Sequence, residues 1–236
     1  ELFGDEVLVH GHGEALLLMF SHLFLNLTFN IQAGAKLLHG LGIIVGIVAA
    51  VKQYSLLDTV SQAITMILAS VPDFWIGLML LLFFSVKLKL LPLSGIENAK
   101  GYILPAVAVA LPYMANLIRL TRSTMLDVMR MDYIQTAQAK GVPKKSVIFK
   151  HALKNALTPV ITYLGPLVAG LLTGSFVVEK VFNVPGIGAY FVKSISDRDY
   201  TMAMGIIVFY GIFVVVCSLL SDILLAAVDP RIKLDK

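Results

Sequence analysis

The stretch AMGIIVFYGIFVVVCSLLSDILLAAV, residues 203–228, carries a single charged side chain, Asp222, in 26 residues. A bilayer's hydrocarbon core is about 30 Å thick, and about 20 apolar residues in a helix are needed to cross it. Four more segments are poor in charge: 30–51 and 102–121 with one charged residue each, 65–89 with three and 157–178 with none. The 22 residues of the first reach about 33 Å at about 1.5 Å per residue. With only 14% charged residues and a mean hydropathy of +0.84, the chain lacks the charged shell of a soluble domain, about a quarter of its residues. The expected fold is an all-α polytopic membrane protein, a bundle of about five transmembrane helices. A membrane β-barrel would show short alternating segments, and none occurs.

Local chemistry shapes these spans. Pro72 removes a backbone donor and predicts a kink in the second, with 57–70 either continuing that helix or lying at the interface. Lys36 is placed to snorkel at the start of the first. In the fourth, Gly165, Ala169, Gly170, Thr173 and Gly174 recur, and small residues let membrane helices approach closely. Asp73, Asn116 and Asp222 are polar groups in or near spans. Because such groups are costly in hydrocarbon, they are candidates for a wet, path-lining surface. His39 in the first span is expected to be a hydrogen-bonded bundle histidine. Cys217 is the one cysteine and reads as a small packing residue. His10 and His12 form a pair without further ligands, so no metal site is expected. No P-loop pattern occurs, and no nucleophile–base constellation marks an enzyme. No secretory signal pattern follows Glu1.

Between the third and fourth spans lies a basic interlude. Residues 119–155 carry Arg119, Arg122, Arg130, Lys140, Lys144, Lys145, Lys150 and Lys154 against Asp127 and Asp132. By the positive-inside rule this segment is cytoplasmic, together with Lys52 and the tail DPRIKLDK. Residues 124–140 are predicted to form one amphipathic helix, with Met125, Val128, Met129, Ile134 and Ala137 on its apolar face. Gly141 would stop it, and Pro143 would start a second helix, KKSVIFKHALKNAL. Two readings stay open on physical grounds. The pair docks another protein through its methionine-rich side, or it lies on anionic lipid through its lysines.

On the other side, VFNVPGIGAYFVKSISDRDY (181–200) is too patterned for a passive connector. Gly186 and Gly188 predict a tight turn, Gly186 with positive φ, and Phe182, Ile187, Tyr190 and Phe191 an apolar surface.

QTAQAKG followed by HALKNAL resembles the EAA loop of ATP-binding-cassette importer permeases. Gln135, Thr136 and Ala137 stand at the three positions that name it, and Gly141 is its glycine. With SVPDFW, YLGPLVAGLLTGSFVVEKVFNVPGIG, DRDYTMAMG and DPRIKL, the resemblance runs from about residue 28 to the C-terminus. It points to the oligopeptide/dipeptide/nickel group, and within it most to the B-type subunit of oligopeptide permeases. The resemblance implies a type I importer permease fold over 30–228, a segment of unclear structure at 1–29 and a cytoplasmic tail at 229–236. It also leads one to expect a further N-terminal membrane helix, which residues 1–27 do not resemble.

By that resemblance, residues 122–156 form the ATPase-coupling loop, with Asp132, Gln135, Thr136, Ala137, Ala139, Lys140, Gly141, His151 and Asn155 as its site residues. Ala137 would be small so as to sit against a partner. Phe182, Pro185, Gly186 and Gly188 would meet a receptor or line an outer gate. The implied partners are a second homologous permease, two cytoplasmic ATPases, an extracytoplasmic peptide-binding protein, the peptide substrate and membrane lipid. Neither nucleic acid nor a cofactor of its own is expected, and ATP hydrolysis would occur in separate subunits. Dipeptides or nickel and metal chelates are alternative substrates, and a non-transporting membrane scaffold is the alternative of another class.

Overall fold

The computed structural model describes residues 37–95, 98–173, 175–184 and 186–228. The N-terminal segment 1–29, Lys36 and the start of the first expected span, His10, His12, Gly174, Pro185 and the tail 229–236 lie outside the described residues. The described residues are helical and connecting segments without a strand. In chain order the helices are α1 (Leu37–Val51), α2 (Leu56–Ser70), α3 (Asp73–Lys87), α4 (Ile103–Met129), α5 (Asp132–Ala139), α6 (144–156), α7 (Thr158–Thr173), α8 (Phe176–Val181), α9 (Ile187–Ser196) and α10 (Tyr200–Val228). The last two turns of α3 and the middle of α6 are π-wound.

The stretches Lys100–Met129 and Tyr200–Ile223 are each long and apolar enough to cross a membrane. A third crossing results if α2 and α3 count as one. These two meet at 104°, far more than a kink. Val71 is extended, and Pro72, which has no N–H to continue α2, caps α3 by accepting from Trp75 and Ile76. The expected second span therefore begins on one helix and ends on another.

The long helix α4 carries the core. Near its start, Leu104, Ala108 and Val109 pack with Val178, Phe182 and Val184. Near its middle, Leu117 packs with Val160 and Leu167 of α7. Near its end, Met125 and Val128 pack with Ile134, Val147, Ile148, Ala152 and Ala156. Gly165 and Gly170 of α7 allow close approach, Gly170 to Tyr113 of α4. Gly165 admits the α10 backbone at Cys217 and Ser218, where a Cβ would meet atoms at 2.9–3.0 Å, and Ser221 Oγ donates to Ile161 O at 2.9 Å. The outward side of α10 is apolar, with Met204, Ile207, Val215 and Leu219 all exposed, as suits lipid.

At one end of the bundle an ion pair ties α2 to α4. Arg122 donates through Nε and through Nη2 (2.8 Å) to the Asp58 carboxylate, which also accepts from Tyr54 N–H at 3.0 Å. Asp58 is 2% exposed. Removing one partner of such a pair strands the other and costs on the order of 3 kcal/mol. Asp58→Asn and Arg122→Gln should each lower the thermal unfolding midpoint in detergent. The double variant should lose clearly less than the sum, since both changes remove one shared interaction.

Candidate functional site

Two clusters of predicted residues assemble at opposite ends of α4, and a third gathers between them. At the α5 end, the helix expected over 124–140 is in fact two. It continues α4 to Met129, breaks at extended Met131 and restarts as α5. Gln135 Nε2 donates to Arg130 O across the break at 3.1 Å.

α5 ends in a Schellman motif. Gly141 N–H donates to Gln138 O (2.9 Å) and Val142 N–H to Ala137 O (3.2 Å), with Gly141 at φ +77°. The positive φ anticipated there is present, and the glycine is exposed with open space around it. Asn155 Nδ2 then donates to Tyr133 Oη at 2.7 Å, joining α6 to α5.

This geometry corrects the roles assigned within the loop. The apolar face of 124–140 is turned inward: Met125, Val128 and Ile134 are buried, and Ala137 packs against them. Ala137 therefore touches the protein's own core. The exposed side is Asp132, Tyr133, Gln135, Thr136, Ala139 and Lys140, with His151 exposed on α6. Three large apolar side chains break this polar surface, namely Met131, Tyr133 and Phe149, the last 65% exposed. Ala137→Glu should accordingly destabilise the subunit and lower its recovery from membranes. Thr136→Glu should leave recovery unchanged and show its effect only on association with other subunits. Gly141→Ala should cost about 1 kcal/mol through left-handed strain, read as a lower unfolding midpoint.

At the α8 end, the chain turns a corner between α8 and α9. Here the expected reason for Gly186 fails and another replaces it. Its φ is −150°, extended backbone that any residue adopts. What it provides is space, because a Cβ there would overlap the carboxylate of Glu179. Glu179, which no sequence motif singled out, is 8% exposed and accepts from the N–H groups of Ala189 (2.9 Å) and Gly188 at the start of α9. Burial raises its pKa to about 7, against the lowering effect of those two donors. Phe182 is 3% exposed, its ring against Gly77, and its carbonyl accepts from Gly95 N–H at 3.0 Å. It anchors the corner and presents no surface to a receptor.

A carboxyl group whose pKa is raised on folding stabilises the fold at low pH, and the contribution fades as pH rises through the folded value. The unfolding midpoint of the wild type should therefore fall relative to Glu179→Gln as pH rises from 6 to 8. Gly186→Val should lower the midpoint at every pH by prising Glu179 from α9.

Midway along α4, polar groups from several helices meet. Tyr163 of α7 lies within side-chain reach of Asn116, and Asp73, Tyr163 and Tyr210 lie within electrostatic reach of Tyr113. The His39 ring stands edge-on to Tyr113 at 6.4 Å. His39 is buried as expected, but its Nε2 has no hydrogen-bond partner among the described residues, contrary to the expectation of a satisfied histidine. Of the three path candidates, Asp73 and Asn116 join this group. Asp222 lies on the exposed side of α10, about three turns beyond Tyr210.

Comparison with known proteins places these features. Residues 42–234 match the family described as binding-protein-dependent transport system inner membrane component. The dipeptide transport system permease protein DppB of Bacillus subtilis is 45% identical over 195 residues, covering 83% of this chain and 63% of that protein. The oligopeptide transport system permease protein AppB of the same organism is 43% identical over 198 residues, 80% of this chain and 63% of that one. The oligopeptide permease OppB of Salmonella typhimurium is 37% identical over 195 residues, 82% and 64%. The chain thus spans less than two thirds of the length of these relatives. Among solved structures, an inward-facing MetNI methionine ABC transporter matches with a TM-score of 0.72 at 16% identity, over 92% of this chain and 99% of that one, which shows a shared fold.

Proposed function

This chain belongs to the family of inner-membrane components of binding-protein-dependent transport systems, and on that premise we propose that it is a permease subunit of an ATP-binding-cassette importer for oligopeptides or dipeptides. The relatives named above carry peptide names, which favours peptides over nickel or metal chelates. In this reading α1 and α7, apolar but short within the described residues, complete five spans with α3, α4 and α10. The lysine-rich α5–α6 segment and the tail lie in the cytoplasm of a bacterial cell, and the α8–α9 corner lies outside.

One observation carries the reading. The α5–Gly141–α6 hairpin is rigidly capped, its apolar face is fused to α4, and its outer face is left open with Met131, Tyr133 and Phe149 exposed. A lipid-surface element would turn its apolar face to the membrane. Here that face is spent on the bundle, so the hairpin is built to transmit a push. Two cytoplasmic ATPases would supply that push, a second permease would complete the path, and an external peptide-binding protein would deliver substrate. No chemistry of its own is required of this chain, and Asp73, Asn116 and Asp222 are its candidate path-lining residues.

The test uses the complex purified in mild detergent with its co-expressed partners and reconstituted into vesicles. ATPase activity stimulated by peptide-loaded binding protein should be lost in a Thr136→Glu, Phe149→Asp variant while the permease stays in the membrane. Unchanged stimulated activity would leave the scaffold reading in place.

A further inference from the structure

We propose that Glu179 is a positioning residue for docking: by capping α9 from α8, its carboxyl group holds the exposed stretch 195–200 in the placement that an external binding protein engages. The inference rests on the permease reading above.

α9 depends on a cap from outside itself. Its N-cap position is Gly186, which has no side chain to accept the N–H groups of the first turn. Glu179 Oε2 accepts from Ala189 N–H at 2.9 Å, in the first turn of α9, where an N-cap side chain ordinarily reaches. The cap is therefore supplied by another helix. Within α9 only Ser194 is buried, so burial fixes this helix weakly and the cap carries much of its placement. Glu179 itself is held firmly. Its carbonyl accepts from Val184 N–H at 2.8 Å, the Phe182 ring lies against Gly77 of α3, and Phe182 O accepts from Gly95 N–H at 3.0 Å. Gly186 keeps the necessary room. A Cβ there would overlap the carboxyl group, and the flexible end of Glu179 would give way before the backbone did.

What α9 carries is a surface suited to protein. Residues 195–200 are all exposed, Ile195 at 56% and Tyr200 at 73%, with Asp197, Arg198 and Asp199 between them. Large apolar groups around charges of both signs fit a mixed protein interface and are costly in hydrocarbon. On its far side the stretch is anchored to α10. Asp199 N–H donates to Ser194 O at 2.8 Å, and Asp199 Oδ1 accepts from Met202 N–H at 3.0 Å. One end is thus held by the bundle and the other through a single carboxyl group. Transport in this family depends on a binding protein. A docking surface that spends only a fraction of its time in the competent placement loses apparent affinity by that fraction.

The experiment titrates peptide-loaded binding protein against the complete importer in vesicles and reads two quantities from stimulated ATPase activity: the half-saturating concentration and the maximal rate. Wild type, Glu179→Ala, Gly186→Ala, the double variant and Glu179→Gln are compared at matched abundance. Glu179→Ala and Gly186→Ala should each raise the half-saturating concentration about tenfold, the scale of losing a helix cap, with far less change in the maximal rate. Because Gly186→Ala acts by displacing the carboxyl group, it should add nothing once Glu179 is alanine. Glu179→Gln keeps one acceptor oxygen and should fall between wild type and Glu179→Ala, and it decides the matter where Glu179→Ala does not accumulate. Unchanged half-saturation, a fall confined to the maximal rate, or additive effects of the two alanines would each overturn the docking role. Wild-type stimulation would stand in all three cases, and the permease reading with it. A wild-type complex that loaded binding protein does not stimulate would overturn that reading and this inference together.

Discussion

The burial of α4 is the constraint on which the other elements depend. Its 27 residues extend about 40 Å and pass in turn through all three apolar clusters of the described structure. Near its start it is enclosed: of residues 104–110, only Val107 is more than marginally accessible. From Asn116 onward one side opens, and the exposed positions Asn116, Arg119, Ser123, Asp127 and Arg130 recur at helical spacing, all polar. In α10 the exposed positions between Gly205 and Leu220 are apolar, and Asp222 follows them near its end. A helix sealed in its first half and polar along one face of its second can border a path open toward the α5 end. Because interiors are close-packed, displacement of α5 and α6 would move α4 as a unit.

The elbow between α2 and α3 is held at both ends by different physics. Asp58 and Arg122 fix α2 to the last third of α4 by charge, while Gly77 and Phe182 fix α3 to the α8 corner by contact. Between them Pro72 interrupts the backbone, leaving main-chain groups that water or a substrate could satisfy.

Much of this was legible in the sequence because local chemistry forces it. The helical membrane fold follows from charge-poor segments and the helix stop from Gly141, while Pro72 marked the place of the α2–α3 break as a kink without giving its size. What escaped depended on distant neighbours. The apolar spacing over 124–140 stays close to helical through the break at Met131, so it gives the right buried face but the wrong helix, and it cannot tell Ala137 facing a partner from Ala137 facing Met125. A glycine selected for positive φ and one selected for want of a side chain look alike in a sequence, and Gly186 is the second kind. The Asp58–Arg122 pair joins residues 64 positions apart. The burial of Glu179 depends on where α9 lands.

The three acidic side chains at functional positions show how one fold gives carboxylates different tasks. Asp58 is neutralised by a fixed guanidinium, so its charge is committed to structure. Glu179 meets backbone donors in a buried corner, and burial raises its pKa to about 7 against the lowering effect of those donors. Asp73 forms no ion pair among the described residues, and its Oδ1 accepts the N–H of Phe74 at the start of α3.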